Sequence, residues 1–230
     1  MSEKTTVHLL RHGEVHNPTG VLYGRLPGFH LSELGLQMAQ RVAAAVGDRD
    51  IVRVVASPLE RAQETARPLA LARGLDIVTD SRVIESGNVF EGRRFSLGDS
   101  ILKRPDIWPQ LWNPFRPSWG EPYKTVVARM MAAVQAARDA ARGHETVLVS
   151  HQLPIWITRL HVESRPFLHN PRSRQCTLCS LTSLVFDGDR LTTVRYSEPA
   201  ADLIPVKDRK KAFSSGTGPA APTGGTPSAS

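Results

Sequence analysis

Three short apolar runs, TTVHLLR (5–11), IVRVVAS (51–57) and ETVLVSH (145–151), each lead into a stretch with helical spacing. Runs this short that are apolar throughout, rather than at every second residue, suit strands covered on both faces. Strands of that kind alternating with helices build βαβ units. The expected fold is therefore α/β, a mostly parallel central sheet with helices on both faces.

The helical stretches carry their own punctuation. In SELGLQMAQRVAAAV (32–46), Ser32 suits the N-cap, Leu34, Met38, Val42 and Val46 recur every four residues, and Gly47 suits the end. PLERAQETARPLALARG (58–74) stops at Gly74, with Ser57, Pro58 and Glu60 spaced as a capping box. EPYKTVVARMMAAVQAARDAARG (121–143) reads as a long amphipathic helix, and LPIWITRLH (153–161) as another. LDIVTD (75–80) is a weak strand, and SLTSLVFDGDRLTTVRYS (180–197) is a hairpin turning at Gly188. Residues 86–120, rich in Arg, Pro and Trp, lack a period and are expected to form a small inserted cap. The expected catalytic domain is 1–206, and 207–230 is expected to be a disordered tail, because it holds too few apolar groups to repay ordering.

The formal net charge of +7 favours anionic partners. No apolar run reaches the roughly 18 residues of a spanning helix, so no membrane association is expected. The N-terminal stretch lacks the features of a secretory leader, and a cytoplasmic protein is expected. Beyond charge, nothing supports nucleic-acid binding: KDRKK (207–211) is the one dense cationic cluster, and no basic helix stripe accompanies it. Cys176 and Cys179 have the spacing of a redox pair or of half a zinc site, but no second paired motif exists, and two buried thiols on a strand are expected. Nothing in the sequence speaks to oligomeric state.

Ligands of an open parallel sheet bind beyond the carboxyl ends of the strands. Here those ends carry Arg11 and His12, then Ser57, then Ser150 and His151. Arg61 falls one turn inside the second helix, and helical side chains lean toward the N-terminus, so its guanidinium can return to the strand ends. Two guanidinium groups, two imidazoles and a helix N-terminus collect positive charge that phosphate would balance. Taken one at a time these residues have plainer readings; their joint occurrence at three strand ends points to phosphate chemistry.

The motifs RHGE (11–14), SPLERAQETA (57–66), GEPYKTVVARM (120–130) and SH (150–151), in that order, resemble the histidine phosphatase superfamily, which includes the phosphoglycerate mutases and many small phosphatases. The resemblance spans about 5–197 and implies a phosphoglycerate mutase-like three-layer sandwich. It implies His12 as nucleophile, Arg11, Arg61 and Asn17 as phosphate ligands, His151 as a further catalytic group, and Glu85 as proton donor; the residues alone do not separate Glu85 from Glu91. Asn17 stands one residue nearer His12 than the family pattern has it, with His16 beside it. His16, Arg25, His30, Arg93 and Arg94 are candidates for the substrate pocket, with Trp119 nearby in the cap. No metal or other cofactor is expected, because the arginines supply positive charge. The implied activity is hydrolysis of a small phosphorylated metabolite through a phosphohistidine; the alternatives are phosphoglycerate mutase-type transfer and a non-catalytic module for phosphate ligands.

Overall fold

The computed structural model describes residues 3–93, 120–169 and 174–204. Most of the expected cap, with Arg94 and Trp119, and the tail at 207–230 lie outside the described residues. The elements run β1 (Lys4–Arg11), α1 (Glu33–Ala45), β2 (Ile51–Ala56), α2 (Glu60–Arg73), β3 (Ile77–Thr79), a 3-10 turn (Ser81–Val83), α3 (Tyr123–Ala140), β4 (Glu145–Ser150), α4 (Gln152–Val162), β5 (Leu181–Asp187) and β6 (Arg190–Ser197). Six strands form one sheet in the order β3-β2-β4-β1-β5-β6. β1 to β4 run parallel, β5 runs against β1, and β6 returns against β5. No helix among the described residues is long and apolar enough to cross a membrane.

Side chains alternate along a strand, so each central strand feeds two cores. Val7 and Leu9 of β1 join Leu148 and Leu184 under α3 and α4, with Val126, Met130, Ile155 and Trp156. Leu10, Val54, Val147 and Val149 meet the opposite layer, where α1 offers Met38 and Val42 and α2 offers Ala62, Ala66 and Leu69. Each leucine fully withdrawn from water here contributes about 1.5–3 kcal/mol. A three-layer sandwich results, as the strand–helix alternation implies.

Helix punctuation follows the sequence in part. Ser32 caps α1, its Oγ accepting the Gly35 N–H at 3.0 Å, and Gly74 closes α2 at φ 62°. Gly47 does not end α1, which stops at Val46 in an ordinary negative-φ conformation. The expected capping box does not form. α2 begins after Leu59, and Glu60 instead accepts the Gly28 N–H at 3.0 Å. Ser57 is wholly buried and serves the site described below. Both cysteines are buried and unbonded to each other, but they precede β5 in a turn rather than sitting on the strand, with Cys179 at φ 53°. Burial pushes the Cys179 thiol up to about 12, which keeps it protonated at neutral pH.

Candidate active site

Register decides what meets at the sheet's carboxyl edge. Arg11 pairs with Ser150, and Ala56 with Val149, so the residues that follow β1, β2 and β4 emerge at one level. The His12 N–H donates to Ser150 O at 3.1 Å and the Ser57 N–H to Val149 O at 3.0 Å, carrying the ladder past the strand ends. His12 and His151 thereby face each other with ring centroids 5.1 Å apart.

The turn after His12 depends on a glycine for space. A Cβ on Gly13 would stand 2.7 Å from Gly35 O, and one on Gly35 would stand 2.1 Å from Glu14 O. Close approach of α1, rather than a positive φ, is what requires glycine there. The Gly13 N–H donates to Thr65 Oγ1 at 3.0 Å, and Thr65 donates to Arg61 O at 2.6 Å, tying the turn to α2. Glu14 holds the start of α1, accepting Ser32 Oγ at 2.5 Å.

His12 Nδ1 lies 2.8 Å from Gly13 O. A carbonyl only accepts, so Nδ1 carries the ring proton and Nε2 presents its lone pair. Burial, then Arg61 and Arg11, hold the His12 pKa well below its ordinary value against the pull of Gly13 O. His151 is lowered in the same way, by burial, Arg61, His12 and Arg11. Both rings are neutral at pH 7. His151 Nε2 lies 2.8 Å from Ser57 Oγ, while its buried Nδ1 has no hydrogen-bond partner among the described residues.

Arg61 is fully buried. Its Nη2 donates to Gly24 O at 2.6 Å, and its guanidinium carbon lies 4.6 Å above the Tyr23 ring. Its Nε and Nη1 are buried and have no hydrogen-bond partner among the described residues. Arg11 is buried too, and donates to Cys176 O at 2.7 Å. Two buried guanidinium groups with two neutral imidazoles concentrate positive charge in a low-dielectric site.

Glu85 and Glu91, which the residues alone left level, have different surroundings. Glu91 Oε1 closes a turn by accepting the Asn88 N–H at 3.1 Å. Glu85 is half-buried, and withdrawal from water raises its pKa against the pull of the Ser86 N–H, Arg61, Arg11 and Arg174. Its segment is held from three sides. Ser150 Oγ donates to Val83 O at 2.7 Å, Arg129 Nη1 donates to Ile84 O at 2.7 Å, and Arg25 Nε donates to Glu85 O at 2.7 Å. Glu121 joins the two arginines, accepting Arg25 Nη2 at 2.9 Å and Arg129 Nε at 2.8 Å.

The remaining candidates fall in different places. Asn17 is buried, and its amide closes a loop: Nδ2 donates to Val21 O at 2.8 Å and Oδ1 accepts the Val21 N–H at 3.1 Å. Arg25, proposed from sequence for the pocket, binds the Glu85 backbone. His16 is exposed. The His30 side chain is 58% exposed and pairs with Glu64 Oε1 at 2.5 Å, which raises its pKa. Arg93 is exposed and lies over the Phe90 ring at 5.5 Å. Sequence reasoning missed Ser57 as the partner of His151, Glu121 and Arg129 as clamps on the Glu85 segment, and Arg174, whose charge acts on Glu85. The Gly-Glu start of the helix at 120–121 was the one available signal for Glu121; Arg174 carried none. Among the described residues, no group of three or more His, Cys, Asp or Glu is placed to hold a metal ion.

Comparison with known proteins places this geometry among relatives. The sequence profile of the histidine phosphatase superfamily (branch 1) matches residues 7–199. The protein named uncharacterized protein Rv0525 of Mycobacterium tuberculosis (strain ATCC 25618 / H37Rv) is 59% identical over 201 residues, which cover 87% of this chain and 100% of that one. The protein named probable phosphoglycerate mutase GpmB of Yersinia pestis (strain Pestoides F) is 31% identical over 182 residues, 76% of this chain and 82% of that one. Among solved structures, Bacillus stearothermophilus YhfR superposes with a TM-score of 0.70 at 26% identity, covering 82% of this chain and 95% of that chain.

Proposed function

The chain belongs to the histidine phosphatase superfamily, and from that premise we propose that it is a cytoplasmic phosphomonoesterase acting on a small phosphorylated metabolite through phospho-His12. The observation that carries the reading is the buried guanidinium of Arg61, with two N–H groups unpartnered among the described residues, beside two neutral imidazoles. A phosphoryl group answers that arrangement in charge and in hydrogen-bonding geometry.

In the proposed reaction, His12 Nε2 gives its lone pair to phosphorus. The N–P bond forms, the ester O–P bond breaks, and the leaving oxygen takes its electron pair together with a proton from the Glu85 carboxyl. In the second step the Glu85 carboxylate takes a proton from water, the water oxygen bonds to phosphorus, and the N–P pair returns to Nε2. Arg11 and Arg61 face the equatorial oxygens, where charge is stabilised. The Leu59 N–H reaches Ser57 Oγ at 3.4 Å, which leaves the hydroxyl proton for His151 Nε2. The His151 ring proton then sits on Nδ1 and points to a phosphoryl oxygen. Because arginines provide the positive charge, a chelator should leave the rate unchanged; loss of activity in EDTA, restored by a divalent ion, would count against the reading.

The raised pKa of Glu85 sets a direction for pH dependence. The first step needs the protonated acid, so phosphorylation of His12 by an alkyl phosphate should slow as pH rises through that pKa. Glu85→Gln should cost about 100- to 10,000-fold on alkyl phosphates. With p-nitrophenyl phosphate, whose leaving group needs no proton, the same variant should give a burst of one p-nitrophenol per active site followed by slow turnover. Equal losses on both substrates with no burst would remove Glu85 from the role.

Glu121 is proposed to position Glu85 through Arg25 and Arg129. Glu121→Ala should lower kcat on alkyl phosphates about tenfold with little change in KM, since one clamp is lost while phosphate binding stays. The pH–rate profile should shift as Glu85 settles in a wetter position, and Glu121→Gln should recover part of the loss. An unchanged profile would leave Glu121 a stabilising pair only.

A second reading, phosphoglycerate mutase-type transfer, draws support from the name of the 31% identical Yersinia relative. Incubation with 3-phosphoglycerate separates the two: free phosphate indicates the hydrolase, and 2-phosphoglycerate without phosphate indicates the mutase.

A further inference from the structure

Arg174 lies two residues before Cys176, whose carbonyl accepts Arg11 Nη1 at 2.7 Å and Gln152 Nε2 at 3.3 Å, so this segment runs along the site. Arg174 Nε donates to His169 Nε2 at 2.9 Å. His169 Nδ1 in turn lies 2.6 Å from Phe167 O, which only accepts. That contact places the His169 ring proton on Nδ1 and leaves Nε2 as the acceptor that Arg174 needs. Burial and the charge of Arg174 keep the His169 pKa low, consistent with this neutral tautomer. The ring is packed by Trp156, edge-on at 5.8 Å, and by Tyr123 at 6.4 Å. A chain of contacts from Phe167 through His169 thus fixes one edge of the Arg174 guanidinium.

Among the described residues this guanidinium has no counter-ion. Arg25, Arg129, Arg159 and Arg165 each pair with a glutamate, whereas Arg174 has no carboxylate within ion-pair distance among the described residues. Burial lowers its pKa, and Glu85 is a carboxylate whose charge opposes that shift. In the proposed reaction Glu85 enters protonated, so it does not neutralise Arg174 in the competent state. A half-buried cation, oriented by an imidazole and left unpaired beside a ligand site, is complementary to an anion that arrives with the ligand.

We propose that Arg174, held by His169, binds a second acid group of the substrate, a carboxylate carried close to the phosphoryl ester. The proposal rests on the phosphatase reading of the site and narrows its substrate class to phosphorylated carboxylic acids. A carboxylate suits this position better than a second phosphate. The phosphoryl end is met by two guanidinium groups and two imidazoles, whereas a single planar fork matches a single planar monoanion.

The test compares 3-phosphoglycerate with glycerol 3-phosphate, which carries a hydroxymethyl group in place of the carboxylate. Binding is measured by calorimetry on the full chain carrying His12→Ala, so no turnover is needed. A charge-assisted bond to the carboxylate predicts a preference for 3-phosphoglycerate of about 10- to 100-fold. Adding Arg174→Gln should bring the ratio to about twofold or less, and Arg174→Lys should keep part of it. His169→Phe, which retains a ring between Trp156 and Tyr123 but removes the acceptor, should lower the ratio without abolishing it, and it stands in if the glutamine variant does not fold. A ratio near one in the parent, or an undiminished ratio in Arg174→Gln and His169→Phe, overturns the proposal. Wild-type hydrolysis of both esters is followed separately. A carboxylate preference without hydrolysis would sink the phosphatase reading and spare Arg174; hydrolysis without preference would do the reverse.

Discussion

His12→Ala is expected to lower steady-state hydrolysis of p-nitrophenyl phosphate by about 10,000-fold or more, because removing a covalent nucleophile removes the two-step path itself. The wild type should become labelled on His12 when mixed with a reactive phosphoryl donor and quenched. The label should resist alkali and fall off in acid, as a phosphoramidate does and a serine ester does not. The neutral ring makes this chemistry available without prior deprotonation. Burial, Arg61 and Arg11 all disfavour the imidazolium, and the Gly13 carbonyl holds the proton on Nδ1. Activity should therefore persist well below pH 6.5 on the His12 side, until the lowered pKa is reached. The variant should keep its near-ultraviolet dichroism, since the backbone bonds of His12 to Ser150 and Cys179 do not involve the ring. A rate within tenfold of wild type would remove His12 from the centre of the mechanism.

Arg61→Met is expected to move activity and stability in opposite directions. The guanidinium is withdrawn from water, pairs with no carboxylate within ion-pair distance among the described residues, and keeps two N–H groups unpartnered there. Replacing such a charge with an apolar side chain of similar length is expected to leave stability unchanged or raise it by about 1–3 kcal/mol, even after loss of the bond to Gly24 O. The same change should cut kcat/KM about 1,000-fold, about 4 kcal/mol of transition-state stabilisation, as the loss of a buried guanidinium facing a phosphoryl group does. Thermal unfolding with and without inorganic phosphate reads both effects. The wild type at one hundred times Kd should gain about 2.7 kcal/mol from the ligand, and the variant almost none. A large drop in stability with phosphate protection retained would show that Arg61 holds the fold rather than the ligand.

The strands and helices were legible because their signals are local. Apolar runs at 5–11, 51–57 and 145–151 became β1, β2 and β4, and Ser32 and Gly74 punctuate helices where their side chains and φ freedom suggest. Local signals also misled. Ser57, Pro58 and Glu60 have capping-box spacing, but the Ser57 hydroxyl is 2.8 Å from His151 Nε2, ninety-four positions away, and the Glu60 carboxylate accepts the Gly28 N–H instead. Gly13 suggested a sharp turn, whereas the constraint is the backbone of Gly35 pressed against it. His30 and His16 lie near the signature in sequence yet on the surface in space.

The amino-acid order by itself determined that this chain forms a covered, mostly parallel sheet with strands that end in imidazole and guanidinium groups, because periodicity and β-branching act between neighbours along the backbone. Only the tertiary structure decided which carboxylate lies beside those groups, which buried arginines have no carboxylate partner among the described residues, and which ring nitrogen carries a proton. Those outcomes depend on burial and on fields from residues far apart in sequence, and a pKa or an orphaned donor exists only once water has been excluded by the packed fold.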